Sequence, residues 1–343
     1  MPLRCLLLLM ILAAGAAPAV AADSTPDPGT TENGSYSFNG AAFPYILYTP
    51  ASAPPGRALP LLVMIHGCQT TARQELEVTG FNKLAEREGF AVLYPEADAL
   101  GRSQPGPLTN CWKFADPTAY FRGTGDSAAI AGMTRAVMKG RAVDDQRVYV
   151  VGVSAGGLMA SVLASAYSDL YAAVGLVATA GFADGPCFTT GVGIPVEASA
   201  ALAYAQMRGR ERVVPIIGMA GDADQAFPAP CLIKAVEQGL RTSNLALSGR
   251  QDGPIALKPA AQHDGQVPGG RSYTVAEFRD PVGCLVAERW IIHGMPHAWP
   301  GETNLAGYGD TRAPSGAEAT WAFLKRYRRS ETARSCAGPR RQR

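Results

Sequence analysis

The stretch RVYVVGVSAGGLMA, residues 147–160, decides how the rest of the chain is read. Its first half is short, β-rich and apolar on both faces, as a strand is when helices cover both sides of its sheet. Its second half is small and apolar and reads as the start of a helix. Between them, Gly152, Ser154 and Gly156 form a G-x-S-x-G frame, in the strand-to-helix context that a nucleophile elbow requires. A turn this sharp leaves no room for bulky neighbours, so glycines flank the serine, and Gly157 permits close packing below it. The hydroxyl is then held at the carboxyl edge of the sheet. Ser154 is the candidate nucleophile.

Outward from this point the pattern repeats. LPLLVMI (59–65), FAVLYP (90–95), YAAVGLVA (171–178) and VVPIIGMA (213–220) have the same two-sided apolar character. Helical segments are expected near 72–88, 125–139, 155–167, 196–208 and 230–240. Alternation of this kind predicts an α/β fold, a doubly wound and mostly parallel sheet with helices on both faces. SYTVAEFRDPVGCLVAERWII (272–292) reads as a hairpin around DPVG, and the segment from Ala313 to Arg329 as a closing helix.

A serine is a poor nucleophile at neutral pH unless a base takes its proton and an acid orients that base. The run VVPIIGMAGDADQAFP ends a strand in a loop that carries Asp222 and Asp224, either of which could be a turn residue. IIHGMPHAWPG (291–301) offers His293 and His297. The two are four residues apart, but Gly294 and Pro296 oppose the continuous helix turn that a metal-binding pair would need. His293 reads as a structural strand end and His297, on the loop beyond, as the base. The order Ser154, Asp224, His297 is the one expected of an α/β-hydrolase sheet. In LLVMIHGCQT a buried strand ends at His66 and Gly67. The N–H groups of Cys68 and Ala155 are the candidate oxyanion donors, and removing one such donor typically costs ~2.7–4 kcal/mol. His66, which opens the turn, is expected to organise it by hydrogen bonding. Asp126, at a helix start, is expected to cap it.

Composition narrows the class. The chain has 343 residues, 47% hydrophobic and 17% charged, with a net charge of +2, which argues against a nucleic-acid binder. Residues 1–22 read as a cleaved secretory signal peptide with one early charge, Arg4. Their apolar run is too short for a stable membrane span, so a secreted or periplasmic protein is expected. Residues 23–35 read as a flexible leader, 36–330 as the catalytic domain and 331–343 as a basic solvated tail. Beyond the signal, Cys68, Cys111, Cys187, Cys231, Cys284 and Cys336 are an even set, which suggests up to three disulfides in an exported chain. No phosphate-binding loop, EF-hand or zinc spacing is visible, so neither metal nor cofactor is expected.

Taken together, IHGCQT, NCW, RVYVVGVSAGG, GDAD and GMPHAWPG resemble the polyhydroxybutyrate (PHB) depolymerase family of esterases over roughly residues 36–328. That family includes exported esterases, polyester depolymerases and relatives acting on feruloyl or acetyl esters of plant polysaccharides. The resemblance implies Ser154 as nucleophile, His297 as base and, because the aspartate falls three residues after Gly221, Asp224 as acid. It also implies a Cys68–Cys111 disulfide tying the long 96–122 loop to the oxyanion turn, with Trp112 beside the cleft. By elimination, Cys187 would pair with Cys231 and Cys284 with Cys336. Gln69, Trp112 and Trp299 are the candidate substrate contacts, although Trp112 reads equally well as packing. Pro296 stands where the family often has glycine and stiffens the histidine loop.

The expected function is hydrolysis of short hydroxyacyl esters of the 3-hydroxybutyrate type through an acyl-enzyme, with the ester as the expected partner and neither nucleic acid nor a membrane span. No linker to a further module is visible, so soluble oligomers or acylated carbohydrates are expected over crystalline polymer. The alternatives are a feruloyl or acetylxylan esterase, a metal-dependent hydrolase using His293, His297 and aspartates, and a non-catalytic binding protein on the same fold.

Overall fold

Side chains on successive strand residues point to opposite faces, and the apolar strands use both. Leu61, Val63 and Ile65 enter one buried cluster, while Leu62 and Met64 enter the other. Val148 and Val150 separate from Tyr149 and Val151 in the same way. In the computed structural model, which describes residues 27–330, these strands form the centre of a ten-stranded sheet.

The elements run in the order β1 (Thr30–Phe38), β2 (Ala41–Thr49), β3 (Leu59–Ile65), α1 (Ala72–Val78), α2 (Phe81–Glu88), β4 (Ala91–Pro95) and α3 (Ala99–Arg102). Next come α4 (Gly125–Gly140), β5 (Val143–Val153), α5 (Ala155–Ala166), β6 (Ala173–Val177), α6 (Val196–Met207), β7 (Ile216–Gly221) and α7 (Ala229–Ser248). The chain finishes with β8 (Ala261–Gln266), β9 (Ser272–Arg279), β10 (Leu285–Ile292), the short bridge β11 (Trp299–Pro300) to β12 (Gly309–Asp310), and α8 (Gly316–Leu324). The sheet order is β1-β2-β4-β3-β5-β6-β7-β10-β9-β8. From β4 to β10 all neighbours are parallel, and the strands beyond them on each edge pair antiparallel. The chain therefore has the α/β-hydrolase architecture that the elbow implies.

Several expectations are corrected. Residues 30–35, read as part of a flexible leader, lie in β1 and pair with β2. The strand is polar and largely exposed, so it carried no apolar signal. The helix expected over 72–88 is two helices, because Gly80 sits at φ 72°, a left-handed conformation that breaks the helical path. The helix expected to end at 240 continues to Ser248. Strand β8, AQHDGQ, is polar and exposed and was not foreseen. The expected signal peptide, residues 1–22, and the expected basic tail, 331–343, lie outside the described residues.

Candidate active site

The elbow is built on close backbone approach. A Cβ on Gly152 would lie 2.1 Å from the Gly156 carbonyl oxygen, and one on Gly156 would lie 2.2 Å from that of Ile65. On Gly157 it would meet the Thr179 side chain at 2.4 Å. Ser154 itself has φ 55° and ψ −125°, a conformation that L-residues rarely adopt and that here the fold over-determines. Its N–H donates to the Val177 carbonyl of β6 at 2.9 Å, and its carbonyl accepts from the Thr179 hydroxyl at 2.7 Å. Helix α5, buried along its whole length, begins at Ala155, whose N–H is one of the helix's unpaired first-turn donors.

The strands β7 and β10 are neighbours, and the loops at their carboxyl ends are stitched together. Asp222 N–H donates to the Ile292 carbonyl and Ala223 N–H to that of Met295, each at 3.2 Å. Gly221 permits this, since a Cβ there would fall 1.9 Å from the Met295 carbonyl oxygen. The result brings Asp224 and His297 beneath the elbow. His297 Nδ1 lies 2.8 Å from Asp224 Oδ2, and His297 Nε2 lies 3.0 Å from Ser154 Oγ. Asp224 is 4% exposed, and its Oδ1 accepts from the N–H groups of Ala226 and Phe227 at 2.8 and 2.9 Å. Three hydrogen bonds thus hold the acid, and the acid holds the imidazole.

Asp222 and His293 form a separate, exposed pair at 2.8 Å. Burial works to raise the Asp222 carboxyl, but hydrogen bonds from His293 and the Gly294 N–H hold it below the usual range. His293 Nε2 also lies 3.1 Å from the Thr274 hydroxyl, so this histidine ties the acid loop to β9. The two histidines therefore serve different aspartates. Among the described residues no group of three or more His, Cys, Asp or Glu is placed to hold a metal ion.

The turn at Gly67 and Cys68, the candidate oxyanion turn, is packed against the candidate nucleophile, with the Cβ position of Gly67 3.2 Å from Ser154 Cβ. His66 is fully buried and its Nδ1 lies 2.6 Å from the Gly67 carbonyl oxygen, while its Nε2 accepts from the Ala97 N–H at 3.2 Å. Burial lowers its pKa, which keeps the ring neutral. The Cys68–Cys111 disulfide is present and ties the 96–122 loop to this turn. Cys187 pairs with Cys231, and Cys284 is also disulfide-bonded; Cys336 lies outside the described residues.

A cavity of about 350 Å³ opens above Ser154 and His297. Gln69 and Trp299 line it, as do Leu108, Phe114, Phe188, Phe227 and Tyr308, which the sequence did not single out because they come from four separate segments. Trp112 corrects an expectation. It is 2% exposed, lies 4.8 Å from the His66 ring and donates Nε1–H to the His66 carbonyl at 2.9 Å, so it braces the oxyanion turn from behind. Asp126 is corrected as well. It does not cap its helix but accepts from the Lys113 backbone N–H at 2.8 Å, which anchors the loop that carries Trp112. Glu75, buried in the cavity wall, was not anticipated either; burial chiefly pushes its carboxyl up to about 7.

The fold and this site define an α/β-hydrolase with a Ser–His–Asp arrangement. A model of the esterase PHB depolymerase family matches residues 43–226, more than half of the chain, and the chain belongs to that family. It is similar to poly(3-hydroxyalkanoate) depolymerase C of Paucimonas lemoignei, with 33% identity over 119 residues, covering 35% of this chain and 27% of that protein. It is equally similar to an acetylxylan esterase of Coprinopsis cinerea, with 36% identity over 115 residues, 33% of this chain and 29% of that protein. The matches thus span less than a third of these relatives. In structure it resembles an acetyl xylan esterase from Aspergillus awamori, with a TM-score of 0.64 at 18% identity over 87% of this chain and 99% of that one. At that identity the likeness speaks for the fold alone.

Proposed function

We propose that the chain is a serine carboxylic-ester hydrolase that acts on short hydroxyacyl esters through an acyl-enzyme. The observation that carries this reading is the unbroken hydrogen-bond path from Asp224 through His297 to Ser154 at the floor of an apolar cavity. His297 Nε2 takes the Ser154 proton as Oγ attacks the ester carbonyl, and Asp224 keeps the other ring proton on Nδ1. The negative charge that develops on the carbonyl oxygen is met by the N–H groups of Cys68 and Ala155. Collapse of this intermediate expels the alcohol, which receives the proton from His297. Water then attacks the acyl-enzyme with His297 again as base, releasing the acid and restoring Ser154.

The lining by Leu108, Phe114, Phe188 and Phe227 suits an apolar acyl chain. A second reading, an acetyl or feruloyl ester of a plant polysaccharide, is favoured by the acetylxylan esterase relative of comparable identity. We also read the protein as exported, since disulfides such as Cys68–Cys111 and Cys187–Cys231 persist in oxidising compartments. No helix among the described residues is long and apolar enough to cross a membrane. Ser154→Ala should abolish hydrolysis of p-nitrophenyl butyrate while the protein stays folded, and retained activity would overturn the proposal. Parallel assays on hydroxybutyrate oligomers, methyl ferulate and acetylated xylan separate the two substrate classes.

A further inference from the structure

Cys68, whose N–H is proposed above as an oxyanion donor, is followed by a residue in an uncommon conformation. Gln69 has φ 62°, in the left-handed region that a β-carbon disfavours and that the surroundings must hold. The turn over residues 67–70 is gripped from several directions. His66 Nδ1 lies 2.6 Å from the Gly67 carbonyl oxygen, which also accepts from the Thr70 hydroxyl at 3.1 Å. The Gln69 N–H donates to the Thr109 carbonyl at 2.7 Å, and the Thr70 carbonyl accepts from the Asn110 side-chain amide. The Gln69 carbonyl accepts from the Tyr308 hydroxyl at 3.1 Å. Of these bonds, the last is the one that reaches the turn from the side of the histidine loop.

The Tyr308 backbone is fixed to that loop. Its carbonyl accepts from the N–H of Trp299, just beyond His297, at 2.8 Å, and its neighbour Gly309 pairs with Trp299 in the β11–β12 bridge. Its side chain lines the cavity above Ser154. One residue thus meets the histidine loop through its backbone, the cavity through its side chain and the turn through its hydroxyl.

Resting on the esterase reading above, we propose that Tyr308 is a positioning residue for the oxyanion turn, a strut that sets the Cys68 N–H relative to His297. In a trans peptide the carbonyl and the N–H point in opposite directions, so whatever grips the Gly67 carbonyl aims the Cys68 N–H. The Thr70 hydroxyl supplies part of that grip, and the peptide joining Gln69 to Thr70 decides where this hydroxyl stands. Tyr308 holds that peptide by its oxygen. Without the phenol hydroxyl, Gln69 relaxes from its left-handed conformation, the peptide turns, and the Thr70 hydroxyl leaves the Gly67 carbonyl. The Cys68 N–H then loses its aim at the oxygen where charge develops. The ground-state ester carries no full charge on that oxygen, so the loss falls on the transition state. The Tyr308–Gln69 bond is open to solvent, and an ester filling the cavity shields it from competing water. The strut therefore tightens as substrate binds.

The test compares the wild type with Tyr308→Phe, which keeps the ring in the cavity and removes the hydroxyl. For p-nitrophenyl butyrate kcat should fall about tenfold, a fraction of the cost of deleting an oxyanion donor. KM should stay level, as for an interaction made in the transition state. An alkyl trifluoromethyl ketone reads the oxyanion directly. Ser154 Oγ adds to its carbonyl carbon, the serine proton passes to His297, and the carbonyl oxygen becomes the bound anion. Its inhibition constant should weaken about tenfold as well, while that of p-nitrophenol, the released alcohol, should not change. In a Gln69→Gly background the same change should cost less, because glycine takes the left-handed conformation without strain. Unchanged kcat in Tyr308→Phe would overturn the proposal. So would a rise in KM with kcat level, the mark of a simple contact between ring and substrate, or equal weakening of the ketone and p-nitrophenol. Hydrogen exchange at the Gln69 amide reads the strut without any reaction. It should quicken in Tyr308→Phe, and unchanged exchange would refute the strut. Activity surviving in Ser154→Ala would instead refute the esterase reading and leave the exchange result standing.

Discussion

The change Asp224→Asn tests the proposed acid in detail. The carboxylate has two distinct faces: Oδ1 accepts from two backbone N–H groups at 2.8 and 2.9 Å, and Oδ2 faces His297 Nδ1 at 2.8 Å. An asparagine has one acceptor oxygen and one NH2 donor. Turning the NH2 toward Ala226 and Phe227 would set donor against donor at two buried groups, each unmade bond costing ~1–3 kcal/mol. The oxygen therefore stays on the backbone and the NH2 faces His297. Imidazole responds by accepting at Nδ1, which moves its proton to Nε2, where it points at Ser154 Oγ. Ser154 then has no base. Loss of the productive tautomer with geometry intact lowers kcat by about 10⁴, about 5.5 kcal/mol in the barrier. The assay is kcat for p-nitrophenyl butyrate at neutral pH, with circular dichroism to show that the fold is kept. A loss below about tenfold would refute the tautomer argument. Asp222→Asn is the control: its pair with His293 is exposed, so stability should change by about 1 kcal/mol or less and kcat should hold.

Three further outcomes follow from packing and charge. Gly156→Ala would push a Cβ to 2.2 Å from one backbone carbonyl and 2.4 Å from the next. Neither can rotate away, so chemical denaturation should show a loss of about 3 kcal/mol or more. Replacing Cys187 and Cys231 together by serine opens a loop spanning 44 residues, for which chain entropy gives about 4 kcal/mol. Their loop carries Phe188 and packs on Phe227, so KM for apolar esters should rise as well. Glu75 also affects stability. Its carboxyl lies near 7 in the folded chain against 4.5 ordinarily, so its contribution is most favourable below about 4.5 and is lost as pH rises through about 7. Glu75→Gln should flatten that part of the Tm-versus-pH curve, and an unchanged slope would contradict the assignment.

The reading from sequence was strongest where covalent order and local sterics dictate the outcome. A strand, three glycines and a serine in register force an elbow, whatever the rest of the chain does. Buried parallel strands announce themselves because both faces are apolar. Polar edge strands such as β1 and β8 do not, since they are defined by pairing with a neighbour rather than by burial. The sequence could order Ser154, Asp224 and His297 along the chain and could name the Cys68–Cys111 bridge through family resemblance. It could not distinguish Trp112 as a brace from Trp112 as a substrate contact, because both roles need a large side chain after the same cysteine. Nor could it show Glu75 beneath the oxyanion turn, since a glutamate in a helix usually faces water. Chain order and local backbone chemistry thus belong to the sequence. Which aspartate meets which histidine, what lines the cavity and which carboxyl loses its water depend on segments far apart in the chain, and only the packed sheet brings those together.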